Sequence, residues 1–242
     1  MTRSLLLALA LASAAPLAAQ TQLADGAGAY VGLHSLSFGS ELQFGVDATV
    51  GRRYQSGLDV GLRAGTRRYG RGSYRTVQVS PSLGYTGSLG GGTLGRVQAR
   101  ADYASASRTI QSIGTTPSGE VKASSDRSSA RLAGLDLSAS VSRPVRLAGS
   151  LRVHPTVGGY ATAVRAFDVR PFADGALRNG LNGSETAYGL GVELALPVSF
   201  RLFGADAAVV PTARLQLAGD ALRLQQAAGL EPAGGLGFRL NF

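Results

Sequence analysis

The sequence predicts an all-β chain, a transmembrane antiparallel up-and-down β-barrel of about ten strands, with eight as the alternative. Three observations lead there. Apolar residues recur with a period of two along most of the chain. The N-terminus carries a short apolar run behind a single arginine, and the C-terminus carries an aromatic residue preceded by alternating apolar positions.

The first segment reads MTRSLLLALALASAAPLAAQ, with Arg3, an apolar stretch from Leu5 to Ala12 and then small residues. That is the layout of a secretory signal peptide. The stretch is too short to cross a bilayer as a helix, which takes about 20 residues. Cleavage is expected after Ala19, leaving residues 20–242 as one barrel domain. No later apolar run is long enough for a membrane helix. Composition narrows the rest. The 242 residues include 34 Gly and no Cys, which excludes a disulfide scaffold, a cysteine-based zinc site and a thiol nucleophile. The glycines follow no three-residue period, so collagen is excluded.

Each strand rests on the same reading. In ELQFGVDATV, Leu42, Phe44, Val46, Ala48 and Val50 alternate with Glu41, Gln43, Gly45, Asp47 and Thr49. Steps of two scatter around a helix but share one face of a strand. The alternation recurs at Leu58–Ala64, Val77–Tyr85, Val97–Tyr103, Leu135–Val141, Leu151–Val157, Tyr188–Leu194, Val209–Leu217 and Leu236–Phe242. A weaker segment, residues 28–37, completes an even number. Pro81, Pro155 and Pro211 fall inside these segments, and a local bulge is expected at each because proline removes a ladder bond. Short connections (RRYQS, GSLGGG, SRPVR, SFRLFG) interleave with long ones, among them residues 107–128, 161–184 and 219–229, the asymmetry of barrels that cross a membrane.

A secreted soluble β-sandwich also alternates, with its apolar face inward. Two features favour the barrel. The polar face is glycine-rich and carries both signs of charge: Asp47, Asp59, Asp102, Asp136 and Glu193 against Arg63, Arg96, Arg100, Arg152, Arg214 and Arg239. Charges in a narrow interior must pair. Aromatic residues also collect at strand ends, with Tyr69, Tyr74, Tyr103, Tyr160 and Tyr188 towards the long loops and Tyr54, Tyr85, Phe200, Phe203 and Phe242 towards the short turns.

With its signal peptide, alternating strands and aromatic end, the chain resembles the small outer-membrane β-barrel proteins of Gram-negative bacteria. The resemblance implies an outer-membrane location and both termini in the periplasm. It also implies that Leu236, Phe238, Leu240 and Phe242 form the signal read by the barrel-assembly machinery.

Chemistry is sparse. His34 lies near Ser35 and Ser37, and His154 beside Arg152 on the polar face. Neither sits in a two-histidine, paired-carboxylate or phosphate-loop motif, so no catalytic, metal or cofactor residue is assigned. The net charge of +9 comes largely from arginines near the long loops. Arginine suits phosphate recognition, so lipopolysaccharide and outer-membrane lipid are the expected partners rather than nucleic acid. The expected role is structural, binding or narrow-pore; the alternative is a barrel enzyme acting on lipid or peptide.

Overall fold

The computed structural model describes residues 28–38, 42–69, 74–115, 121–170, 184–221 and 234–242. The expected signal peptide, the side chain of His34 and parts of the long connections lie outside the described residues. The strands are β1 (Gly28–Phe38), β2 (Leu42–Arg53), β3 (Leu58–Tyr69), β4 (Tyr74–Gly90), β5 (Thr93–Thr115), β6 (Val121–Ser142), β7 (Val145–Ala148), β8 (Leu151–Val153), β9 (Thr156–Arg170), β10 (Glu185–Ala195), β11 (Val198–Leu202), β12 (Ala205–Gly219) and β13 (Gly234–Asn241). β1 to β6, β9, β10, β12 and β13 pair in that order, all antiparallel, and β1 pairs with β13. The result is a closed ten-stranded ring in a single sheet, not a sandwich of two. No helix among the described residues is long and apolar enough to cross a membrane, which says nothing against crossing with strands.

The register fixes the shape of the ring. From Arg52 on β2 a row of partners runs through Val60, Leu83, Ala99, Leu137, Ala161 and Leu190 to Ala218 on β12. In the other direction Arg52 meets Ala29, whose carbonyl accepts from the Phe242 amide, at the foot of β12. The row therefore returns displaced by about a dozen residues. For ten strands that stagger gives a tilt of about 40° and a backbone radius of about 10 Å, small enough for side chains to fill.

Side chains alternate across the wall. On β10, Tyr188, Leu190 and Leu194 are exposed outside, while Ala187, Gly189, Gly191, Glu193 and Ala195 are buried inside. Val46, Val50, Val60, Leu62, Leu83, Val97, Leu135, Leu137, Leu215 and Leu236 continue the apolar exterior round the ring. The outward run from Tyr188 to Leu196 covers about nine residues, the length a tilted strand needs to cross hydrocarbon.

Beyond Tyr103 the polarity inverts. On β5 the outward positions become Ser105, Ser107 and Thr109 while Ala104 and Ala106 turn inward and are buried. β6 does the same with exposed Arg131 against buried Ala130 and Leu132, and β9 with exposed Arg165 against Val164 and Ala166. Much of the expected loops at 107–128 and 161–184 is therefore strand. β5 and β6 run on paired to Thr115 and Val121, and β9 reaches Arg170. The sequence pattern there reads as loop because the apolar face has changed sides and holds mostly alanine.

The prolines correct a second expectation. Register shifts fall at His34/Leu36, Ser88/Gly90, Ser129/Arg131, Leu190/Gly191 and Arg146/Ala148, none of them at a proline. Pro81 keeps its place opposite Leu62. Pro144, Pro155 and Pro197 instead occupy the breaks at which β6 passes into β7, β8 into β9 and β10 into β11. The break is bridged sideways by carbonyls that proline still offers: Arg143 N–H donates to Pro155 O (3.4 Å), His154 N–H to Pro197 O (2.9 Å) and Leu196 N–H to Pro211 O (3.0 Å). Four neighbouring segments thus change direction along one seam without orphaning the facing amides. Below it β7, β8 and β11 extend the wall of β12 at the short-turn end.

Two short turns show opposite economies. Gly91 and Gly92 both have positive φ (59° and 74°), as a primed two-residue hairpin turn requires. The β11–β12 turn places Phe203 (φ 50°) and Gly204 (φ 86°) in the same positions, and Phe203 is fully exposed. A non-glycine residue there costs about 1–2 kcal/mol, less for asparagine. Phe203→Asn is therefore expected to stabilise the folded barrel by about 1 kcal/mol, measured by urea unfolding in detergent; unchanged or lower stability would show that the ring gains more from its surroundings than the backbone loses.

Candidate functional site: the closed interior

The interior is built from two related clusters. In the first, Tyr30 on β1 donates its hydroxyl to Asp59 Oδ1 (2.8 Å), and the Arg239 guanidinium lies 3.7 Å above the Tyr30 ring. Asp59 also takes Arg53 (3.2 Å) and Arg96 (3.5 Å). In the second, Arg214 on β12 holds Asp136 on β6 with two hydrogen bonds (2.9 and 3.1 Å) and Glu193 on β10 with a third (3.1 Å), and lies 4.3 Å over the Tyr160 ring. Arg100 bridges Asp102 (3.0 Å) and Asp136 (3.9 Å), and Arg63 holds Asp47 at 2.9 Å. Most of these ion pairs join neighbouring strands, but Arg214 and Asp136 meet past the two strands that separate β12 from β6.

Both tyrosines lie on glycines. A Cβ on Gly51 would come within 2.3 Å of the Tyr30 ring, and one on Gly191 within 2.6 Å of Tyr160. The missing side chain on one strand is the seat of the ring on its neighbour. At these two lumenal positions the glycine admits an aromatic ring capped by arginine.

Ten of the eleven predicted interior charges, Asp47, Asp59, Arg63, Arg96, Arg100, Asp102, Asp136, Glu193, Arg214 and Arg239, are at most 9 % exposed. Arg152 is not among them. It is partly exposed on β8, opposite Arg146 on β7. Arg53 was missed, because it sits in what reads as the turn RRYQS, and β2 carries it into the interior. Tyr160 does not belong to the long-loop girdle; being inward on β9, it is buried under Arg214. Towards the long-loop end the lining turns apolar, as Ala104, Ala106, Ala130, Leu132, Val164, Ala166, Ala187 and Ala221 form one buried cluster. The charged layers are thus followed by a dry one.

His154 is buried, and its Nε2 lies 3.0 Å from Ser199 Oγ across the β8–β11 pair. Ser199 also donates towards the Arg152 carbonyl (3.4 Å), and Thr156 Oγ1 to the His154 carbonyl (2.9 Å). The pair stitches the sheet just where Pro155 and Pro197 interrupt it. Among the described residues no group of three or more His, Cys, Asp or Glu is placed to hold a metal. Leu236, Phe238, Leu240 and Phe242 share the outward face of β13, and Phe242 is exposed.

No protein-family model and no curated protein matches the chain. Among solved structures, a similar chain is the NanC porin in a rhombohedral crystal form, with 10 % identity and a TM-score of 0.30 over 89 % of this chain and 98 % of that one. A likeness that weak carries nothing about function, and the barrel rests on its own hydrogen-bonded ring.

Proposed function

We propose that the chain is an integral outer-membrane barrel whose interior is shut by its own side chains, serving as a structural or binding platform rather than an open pore. The observation that carries this is the pairing of an apolar exposed exterior with charged interior residues that are almost wholly buried. An exterior of Leu, Val and Tyr is costly in water and suited to lipid. A water column would leave Arg100, Asp136 and Arg214 wetted, yet all three are buried and ion-paired with one another, Arg214 reaching Asp136 past two intervening strands. Exposed Arg75, Arg131 and Arg165 lie beyond Tyr103 at the long-loop end, where they face the level of lipopolysaccharide phosphates. The outward face of β13 supports recognition by the assembly machinery.

Planar-bilayer recording tests the closed interior. Purified refolded protein is expected to give no steps, or only small ones, and Asp136→Ala combined with Arg214→Ala is expected to raise conductance. Large porin-like steps from the unaltered protein would count against the proposal.

The enzyme reading has one observation in its favour, the contact of His154 with Ser199. Its expected signature differs: His154→Ala should remove hydrolysis of a lipid ester or peptide while the heat-modifiable folded band persists. A loss of that band alone makes His154 a structural stitch.

A further inference from the structure

The seam at the prolines leaves a pocket at the short-turn mouth. β7, β8, β11 and the start of β12 enclose a cavity of about 390 Å³, lined by Arg146, Arg152, Ser199, Phe200, Arg201 and Asp206. Its electrostatics differ from those of the interior above. There each arginine lies against a carboxylate or a tyrosine ring. Here Arg146 and Arg152 stand directly opposite each other in the β7–β8 pair, and among the described residues neither guanidinium has an ion-pair partner. Like charges in directly opposed cross-strand positions destabilise a hairpin. Arg201 adds a third cation, offset only by Asp206 at 3.9 Å, with both side chains at least half exposed.

We propose that this cavity binds a small anion of the phosphate class, held between Arg146 and Arg152 with Ser199 as a further hydrogen-bonding group. Guanidinium forks match phosphate oxygens in a planar, paired geometry. The anion supplies the charge that the opposed arginines lack. His154 holds the Ser199 hydroxyl at the cavity wall, 3.0 Å away, so the serine is placed before the ligand arrives. The cavity volume limits the site to a small group. The proposal does not depend on whether the interior above conducts.

The test uses the full barrel refolded in neutral detergent and titrated with inorganic phosphate at constant ionic strength, with chloride as the replaced ion. Calorimetry is expected to show saturable binding, and phosphate but not chloride should raise the thermal midpoint. Arg152→Gln and Arg146→Gln should each weaken binding about tenfold or more, the loss of one charge-assisted contact. Both substitutions fall on partly or fully exposed side chains, and the unheated gel band verifies that each variant is folded. Absence of saturable heat with the unaltered protein, or equal affinity in the Arg146→Gln, Arg152→Gln double variant, overturns the proposal. A second arm distinguishes sources of the same chemistry. If micelles doped with phosphatidylglycerol displace phosphate, the site takes a lipid headgroup; if they do not, it takes the free anion.

Discussion

Arg214→Ala is expected to destabilise the barrel by about 3–5 kcal/mol, the cost of leaving buried charges without their partner. Arg214 is hydrogen-bonded to both Asp136 and Glu193, and its removal also uncovers the Tyr160 ring. Urea unfolding in detergent, followed by the shift between folded and boiled bands, measures the loss. Arg214→Lys should recover part of it, because an ammonium keeps the charge but neither the two-pronged grip on Asp136 nor the flat stack on tyrosine. A triple variant, Arg214→Leu with Asp136→Asn and Glu193→Gln, should be closer to the unaltered protein than Arg214→Ala, since it leaves fewer uncompensated charges. Arg214→Ala with unaltered stability would mean that water reaches these groups and that the interior is open.

Gly191→Ala should cost about 1–3 kcal/mol, the range for overpacking. The new Cβ would fall 2.3 Å from the Leu215 carbonyl oxygen and 2.6 Å from the Tyr160 ring. The first of these is backbone and cannot swing away. Tyr160→Ala in the same molecule should therefore fail to rescue the variant, which a purely side-chain clash would allow. Gly90→Ala offers a control of a different kind: no atom lies within 4 Å of its Cβ, and its φ of 89° makes any penalty conformational. If Gly191→Ala melts with the unaltered protein, the tyrosine seat is looser than described.

The wall of this barrel was legible in the sequence, and its interior only in part. Period-two alternation exposes itself wherever the two faces differ in hydrophobicity, as at Leu58–Ala64 or Leu236–Phe242. Where Ala104 and Ala106 face Ser105 and Ser107, small residues sit on both faces, the contrast fades, and strand reads as loop. The interior charges could be found as a set because they share one face. Their partners could not: Arg214 and Asp136 are brought together by curvature across the ring, which no local pattern encodes. Pro155 reads as a defect in a strand, but its meaning depends on lying beside Pro197 on the adjacent segment. Tyr160 was misplaced because an aromatic at a strand end and one facing inward differ by a single residue of register.

The pairing of β1 with β13 has a consequence for how the molecule comes into being. Tyr30 is joined to Asn241 and Leu33 to Phe238, so the ring closes only between segments separated by most of the chain. By loop-closure arithmetic this costs on the order of 5 kcal/mol of chain entropy before the first of those bonds is repaid. With that pairing unmade, the sheet is open and β1 and β13 are its unpaired edges, a template for aggregation. A chain that is safe when finished is thus at its most vulnerable when almost finished. Its survival on the way to the membrane depends on how long that last gap stays open rather than on the depth of the final energy well.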